Sequence, residues 1–285
     1  MAIVGLVLVS VAPGLVWLWF FLGRDTIRPA PRRLVATTFL VGGISTIPAS
    51  LLSFAFIDES VIGIDATFTS VAAAMLLVVG PVEESSKFLA VRLHAFRSRY
   101  FDEPMDGLIF SAAASLGFAS VENIVYVLEF GPEVMIVRAP LSTLAHVIFG
   151  SFWGYAMARN VGSPRRRFWW LIAGIGGASA AHGLFNLMVF FVPILALLLV
   201  ALGFSWVTSR FRWAAMISRF KLRRNIPTFR CSNCSGMVRR DSPYCQTCGI
   251  RDPRGIEIQN CGNCGAENPL DAAYCSTCGD RFVNA

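Results

Sequence analysis

The sequence predicts an all-α polytopic membrane protein of about seven transmembrane helices, followed by two small cysteine-built modules. Three observations predict it. Of the 285 residues 55% are hydrophobic and only 15% charged, with a mean hydropathy of +0.58, far from the balance of a water-soluble domain. The apolar residues fall in runs long enough to cross a bilayer, which takes roughly 20 residues per helix. All eight cysteines lie between Cys231 and Cys278, outside every such run.

Taken in order, the runs are Ile3 to Leu22, Leu34 to Phe56, Phe68 to Arg92, Gly107 to Phe130 and Ala139 to Ala158. The next, Phe168 to Val207, is too long for one span, and Pro193 marks a turn that divides it in two. The first run lacks the basic start of a secretory signal and a small-residue cleavage site, so it reads as a retained helix.

The connecting segments alternate in charge. Arg24, Arg28, Arg32 and Arg33 follow the first span; Asp58, Glu59 and Asp65 follow the second. Then come Arg92, Arg97 and Arg99, next Glu129 and Glu133, next Arg159 with Arg165, Arg166 and Arg167, and finally Arg210 through Arg224. Basic loops stay in the cytosol, so the pattern predicts an outside N-terminus and a cytosolic C-terminal tail in the cell membrane. It also accounts for the net charge of +7 without nucleic acid, since the arginines form short clusters and no single soluble face. Trp169, Trp170 and Trp213 sit beside these clusters as an interfacial belt would.

Some ionisable groups do not belong in lipid. Glu83, Glu84, Lys87 and Glu122 fall within spans, where an unpaired charge costs roughly 2.5 to 3.5 kcal/mol at the helix centre. Two of the three histidines, His146 and His182, are intramembrane as well. Helical spacing gives each of four spans one polar face: Glu83 with Lys87, Phe118 with Glu122 beside Asn123, His146 with Gly150, and His182 with Asn186. The lysine either pairs with Glu83 or snorkels toward the cytosol. Residue counting sets Glu83 nearer the basic loops than Glu122, His146 and His182.

If the four faces converge, they enclose what amide hydrolysis requires: a base to deprotonate water, a donor for the oxyanion and an acid for the leaving amine. Glu83 and Glu84 point about 100° apart on a helix, so one faces the pocket and the other a helix partner; Glu83 is taken as the base. The alternative is a non-enzymatic anchor or an ion-coupled transporter, because buried acids and histidines also glue helices and relay protons. His94, among arginines at the cytosolic edge, has no assigned role. Asp106, after Pro104 and before a helix, reads as an N-cap.

These residues form an ordered series: Glu83-Glu84-Ser85-Ser86-Lys87; Glu103-Pro104-Met105-Asp106-Gly107 leading to Gly117-Phe118-Ala119-Ser120-Val121-Glu122-Asn123; His146 with Gly150; His182 with Asn186. The series, over residues 70 to 190, resembles the PrsW family of intramembrane proteases, distant relatives of the type II CAAX prenyl proteases. The resemblance implies an intramembrane endopeptidase acting on membrane-anchored proteins, with an anti-sigma factor as the best-known substrate type. It implies catalysis by the adjacent glutamates and the two histidine motifs; the residues themselves suit Glu84 and Glu122 as supporting acids or ligands, Lys87 as a group that tunes Glu83, and Asn186 as an oxyanion donor. Prenyl-protease relatives carry a histidine where this chain has Glu122. Two histidines with glutamates can hold a catalytic zinc, but no His-Glu-x-x-His helix is present, and a metal-free glutamate mechanism is slightly preferred.

The tail repeats one pattern: Cys231-x-x-Cys234 then Cys245-x-x-Cys248, and thirty residues later Cys261, Cys264, Cys275 and Cys278. Tyr244, Thr247 and Gly249 recur as Tyr274, Thr277 and Gly279. Two C-x-x-C knuckles supply the tetrahedral sulfur set that zinc prefers. Repeats this short hold too little apolar material to fold without metal, and a cytosolic tail argues against disulfides. They resemble double zinc ribbons, each holding one structural Zn²⁺. Arg239, Arg240, Arg251 and Arg254 offset the thiolate charge, so the ribbons suit a cytosolic protein partner better than nucleic acid. The predicted organisation is a membrane protease domain over 1–209, a basic juxtamembrane linker over 210–228 that lies on anionic lipid, and ribbons over 229–252 and 253–285.

Overall fold

The computed structural model describes residues 2–57, 61, 66–160, 167–218, 228–239, 242, 244–251, 258–269, 274–275 and 277–282. Asp58, Glu59, Asp65, Arg165, Arg166, Arg224, Arg240 and Arg254 lie outside the described residues, as do the side chains of Arg167 and Arg239. The chain divides into two compact units, one built largely from residues 1–224 and one largely from 225–285.

Among the described residues seven helices are long and apolar enough to cross a membrane: span 1 Ile3–Leu22, span 2 Arg32–Phe56, span 3 Phe68–Leu93, span 4 Pro104–Phe130, span 5 Pro132–Arg159, span 6 Phe168–Phe191 and span 7 Pro193–Ile217. Number and order agree with the hydropathy pattern. Span 4 is the central helix, with 78% of its apolar window buried against 17% for span 1. Its Phe110 and Leu116 pack with Phe149 and Trp153 of span 5 in the core. Large side chains such as Trp19, Phe54, Leu77 and Ile136 point outward, the inverse of a soluble surface and suited to lipid.

Three boundaries differ from expectation. Span 5 starts at Pro132 because short helical turns lead into a π-helical segment, Arg138–Ser142, built around Pro140. Span 7 runs to Ile217, into the segment read as a linker, because Phe211 and Ala214 are buried and Trp213 sets its ring 4.9 Å from that of Tyr155. Trp213 is therefore a packing residue, whereas Trp169 is 75% exposed as a belt residue should be. Asp106 is not the N-cap of span 4. Glu103 holds that position, and Asp106, at the third helical position, accepts from the Glu103 and Asp102 N–H groups at 2.8 and 3.0 Å, which is one half of a capping box.

Span 3 is continuous through Gly80-Pro81 but changes pitch there. Ala74–Val79 is π-helical, followed by α-helix over Gly80–Leu93; Pro81 has no N–H for an ordinary ladder. Spans 3 and 6 meet backbone to backbone at two glycines. A Cβ on Gly80 would collide with the Ser179 carbonyl, and one on Gly183 with the Met75 carbonyl. This approach brings the start of the Gly80–Leu93 helix alongside His182.

The second unit repeats one small fold. Strand β1 (Thr228–Arg230) pairs antiparallel with β2 (Met237–Arg239), and β3 (Ile258–Asn260) with β4 (Glu267–Pro269). Isolated bridges join Tyr244 to Arg251 and Tyr274 to Arg281.

Candidate active site and zinc ribbons

Spans 3, 4, 5 and 6 do converge. A carboxylate oxygen of Glu83 and one ring nitrogen each of His146 and His182 all lie within 4.8 Å of one another. Residue counting had set Glu83 apart in depth; the side chains close that gap. The Glu83 side chain, 14% exposed, is the more open of the glutamate pair, while Glu84 is wholly buried. The division of Glu83 to the open centre and Glu84 to a helix partner therefore agrees with the geometry.

Glu84 is the hub of the buried side. It accepts the Trp153 indole N–H at 3.0 Å and the Lys87 ammonium at 2.8 Å, and it lies 2.9 Å from His182 Nδ1. Glu122 stands 2.8 Å from His146 Nε2 and accepts from Arg138 at 2.9 Å. Each histidine thus gives one N–H to a carboxylate, which fixes its tautomer and leaves the other nitrogen as a lone-pair donor. For His182 that nitrogen is Nε2, 3.7 Å from Glu83. For His146 it is Nδ1, 2.9 Å from the Lys87 ammonium.

Lys87 does not snorkel. It is completely buried, nearer Glu84 than Glu83, which is 3.4 Å away. Its ammonium lies 4.1 Å from the centre of the Phe118 ring. The i,i+3 partner is the shorter one, so pairing with Glu83 alone is corrected to a bridge across both carboxylates. Phe149 stacks on His182 with centroids 4.8 Å apart. Asn186, one turn beyond His182, is half-buried and shows no side-chain hydrogen bond among the described residues.

Two participants escaped sequence reading. Trp153 lies seven residues after His146, two turns on and on the same face, a spacing that points to the cluster. Arg138 stands one residue before the expected start of span 5. It is buried, donates from Nε to Asn123 at 2.9 Å and packs over Tyr126 at 3.7 Å. Asn123 in turn donates to the Ser10 carbonyl and the Thr143 hydroxyl. The amide thus ties spans 1, 4 and 5 together.

The donor set fits a metal ion. Two imidazole nitrogens and a carboxylate converge with their outer partners in place, and a bound ion would take the His146 nitrogen now shared with the Lys87 ammonium. Three carboxylates share two basic partners, Lys87 and Arg138, which leaves one carboxylate without a cation of its own.

In the tail the thiols form two groups of four, Cys231, Cys234, Cys245 and Cys248, and Cys261, Cys264, Cys275 and Cys278. Sulfur pairs stand 3.8 and 3.6 Å apart in the first and 3.6 and 3.5 Å in the second. A tetrahedron with Zn–S bonds near 2.3 Å has edges of about 3.8 Å, so both sites fit Zn²⁺ and neither contains a disulfide. Each knuckle closes with an N–H returned to the first cysteine's carbonyl, from Ser235, Gly249, Gly265 and Gly279, and all four donors have positive φ.

Residues 231–279 match the double zinc ribbon family. Over residues 30–210 the chain matches the profile described as PrsW family intramembrane metalloprotease. Among similar relatives, Protease PrsW of Shouchella clausii is 35% identical over 152 residues, 53% of this chain and 68% of the relative. Protease PrsW of Geobacillus kaustophilus is 30% identical over 181 residues, 64% and 78% of the two chains. Protease PrsW of Bacillus subtilis is 29% identical over 181 residues, 63% and 80%. No solved structure matches the chain. With that profile spanning most of the helical body and enclosing all four spans that meet at the glutamate–histidine cluster, the chain belongs to the PrsW family of intramembrane metalloproteases.

Proposed function

We propose that the chain is an intramembrane endopeptidase that hydrolyses peptide bonds of membrane-anchored proteins at the Glu83, His146 and His182 centre. The observation that carries this reading is the convergence of those three donors within 4.8 Å of one another, each histidine backed by a carboxylate. Glu83 receives the proton of the attacking water, being the more open carboxylate of the adjacent pair and the one set close to both histidines. Glu84 and Glu122 hold the histidines in the tautomers that aim His182 Nε2 and His146 Nδ1 at the reacting water. The Lys87 ammonium, already shared between Glu83 and His146, stabilises negative charge as it develops on the substrate carbonyl. Asn186 offers a second donor, and the proton held by Glu83 passes by way of His182 Nε2, its neighbour at 3.7 Å, to the leaving amine. Phe118, Phe149 and Trp153 keep bulk water out, which strengthens each of these interactions.

Glu83, His146 and His182 would also hold a zinc ion, which when bound supplies Lewis acidity and a water acidic enough to ionise near neutral pH. The paired outer carboxylates favour this over the metal-free mechanism that spacing alone suggested. The charge alternation supports an outside N-terminus and a cytosolic tail, with ribbons that dock a cytosolic protein. Arginine clusters beside thiolate centres do not suit nucleic acid.

The test is Glu83→Gln and His182→Ala in proteoliposomes holding a single-span reporter. Both variants insert and fold, and cleavage is lost in each. Wild-type protein carries a third zinc beyond the two in the ribbons, and His182→Ala carries two. Retained cleavage in Glu83→Gln refutes the assignment, and proton flux in sealed vesicles without cleavage supports a transporter instead.

A further inference from the structure

Beside the catalytic cluster, on the outer flank of the contact between spans 3 and 6, lies a cavity of ≈ 480 Å³. Leu76, Pro81 and Ser85 line one wall; Ile172, Gly176 and Ser179 line the other. It is apolar except for its hydroxyls. Ser85 follows Glu84 directly, and Ser179 stands one turn before His182, so each wall continues into a helix that carries the site. Ser179 is only 6% exposed, and its hydroxyl has no hydrogen-bond partner among the described residues. An unsatisfied hydroxyl inside a membrane protein is costly and needs explanation. Gly176 opens the cavity: a Cβ there meets nothing within 4 Å.

We infer that this cavity is the lateral docking groove for the substrate's membrane segment, held locally unwound, with the Ser179 hydroxyl completing a backbone group that unwinding frees. The inference rests on the proteolytic reading above and adds to it the form in which substrate is accepted. An intact helix hides its peptide bonds inside its own ladder. Opening a turn in lipid orphans N–H and C=O groups at several kcal/mol each, so a groove that accepts an opened turn must supply hydrogen-bonding partners. An apolar wall with an idle hydroxyl does so, and a helix breaker in the substrate lowers the cost of opening.

The test uses the full chain carrying Glu83→Gln, reconstituted with two single-span probes. One has an uninterrupted Leu/Ala segment; the other has a central Gly-Pro. A benzophenone amino acid replaces Ser85, or, as reference, Leu128, which is 67% exposed on span 4. The Gly-Pro probe cross-links at position 85 and not at 128, and at least several-fold more than the uninterrupted probe. Ser179→Ala lowers that yield about fivefold, as loss of one hydrogen bond should, and Gly176→Leu lowers it more by filling the groove. Cross-linking that is equal at 85 and 128, absent at 85, or unchanged by both substitutions overturns the groove. Cleavage surviving Glu83→Gln would instead strike the catalytic assignment, without altering where the probe binds.

Discussion

Adding one methyl group at Gly183 should inactivate the protease without touching any ionisable residue. Its Cβ would overlap the Met75 carbonyl and stand 2.8 Å from Leu76 Cα, where ordinary contact begins at 3.4 Å. Both obstacles are backbone in the π-helical segment, so no side chain can swing aside, and span 3 must retreat by about 0.6 Å or more at that point in a close-packed interior. Shared between spans 3 and 6, that retreat stretches the 2.9 Å contact of His182 Nδ1 with Glu84 to about 3.5 Å, beyond hydrogen-bond range. The histidine then loses its fixed orientation. Misplacement approaching 1 Å costs on the order of 10²-fold in rate, so Gly183→Ala should cleave a single-span reporter about 10- to 100-fold more slowly. Initial rates in proteoliposomes measure the effect, with circular dichroism and thermal midpoint checking that the bundle persists. Gly5→Ala is the control, since a Cβ there meets nothing within 4 Å. Wild-type cleavage by Gly183→Ala in a folded protein would refute the claim that backbone contact between spans 3 and 6 aims His182.

Arg138→Ala should destabilise the helical body by about 2–3 kcal/mol in detergent unfolding, since it strips the part-buried Glu122 carboxylate of a charged hydrogen bond; Arg138→Lys should recover part of the loss, and equal stability of the two would argue against the Glu122 pairing. Asp25, in the loop after span 1, has its carboxyl pushed up to about 7 by burial, with Glu103 adding to the rise. A folded-state value above the unfolded one favours the protonated form, so the cost of Asp25 is absent below about pH 4, grows as pH rises to 7 and then levels off. Asp25→Asn should therefore be more stable than wild type at pH 8 and lose that advantage as pH falls to about 4; a constant difference would contradict this. Ser235 has φ 57° in the first knuckle, where the second ribbon has Gly265 at φ 73°. Relief of left-handed strain, about 1–2 kcal/mol less the entropic cost of glycine, predicts that Ser235→Gly tightens zinc in the first ribbon a few-fold in chelator competition; unchanged or weaker binding would count against it.

What could be read from sequence followed the size of the energies involved. Seven spans were legible because transfer of 20 apolar residues dominates every local preference. Glu83, Glu84, Lys87, Glu122, His146 and His182 were legible because each is expensive in lipid and so invites a reason. Arg138 was missed although equally expensive, because the apolar run that defines span 5 starts at Ala139, one residue after it; the π-helical turn over Arg138–Ser142 brings it into the span. Trp153 carries no charge to mark it. The preference of Lys87 for Glu84 turns on the difference between 2.8 and 3.4 Å, far below what i,i+3 and i,i+4 spacing resolves. In the tail, the repeat of ligands foretold both thiol groups, since metal coordination there replaces the hydrophobic core that spans 4 and 5 build from Phe110 and Trp153.

A wide helical turn is a place where rotational register can be reset. With Ala74–Val79 standing between Phe68–Ala73 and Gly80–Leu93, the two halves of span 3 are phased separately, the first by its own surroundings and the second by Gly80 seated on span 6. Tilt or rotation at the upstream end, as a thicker or thinner bilayer would impose, is taken up in the wide turn before it reaches Glu83 and Glu84. The bearing of the carboxylates is thereby insulated from the lipid around the entrance of the helix that carries them.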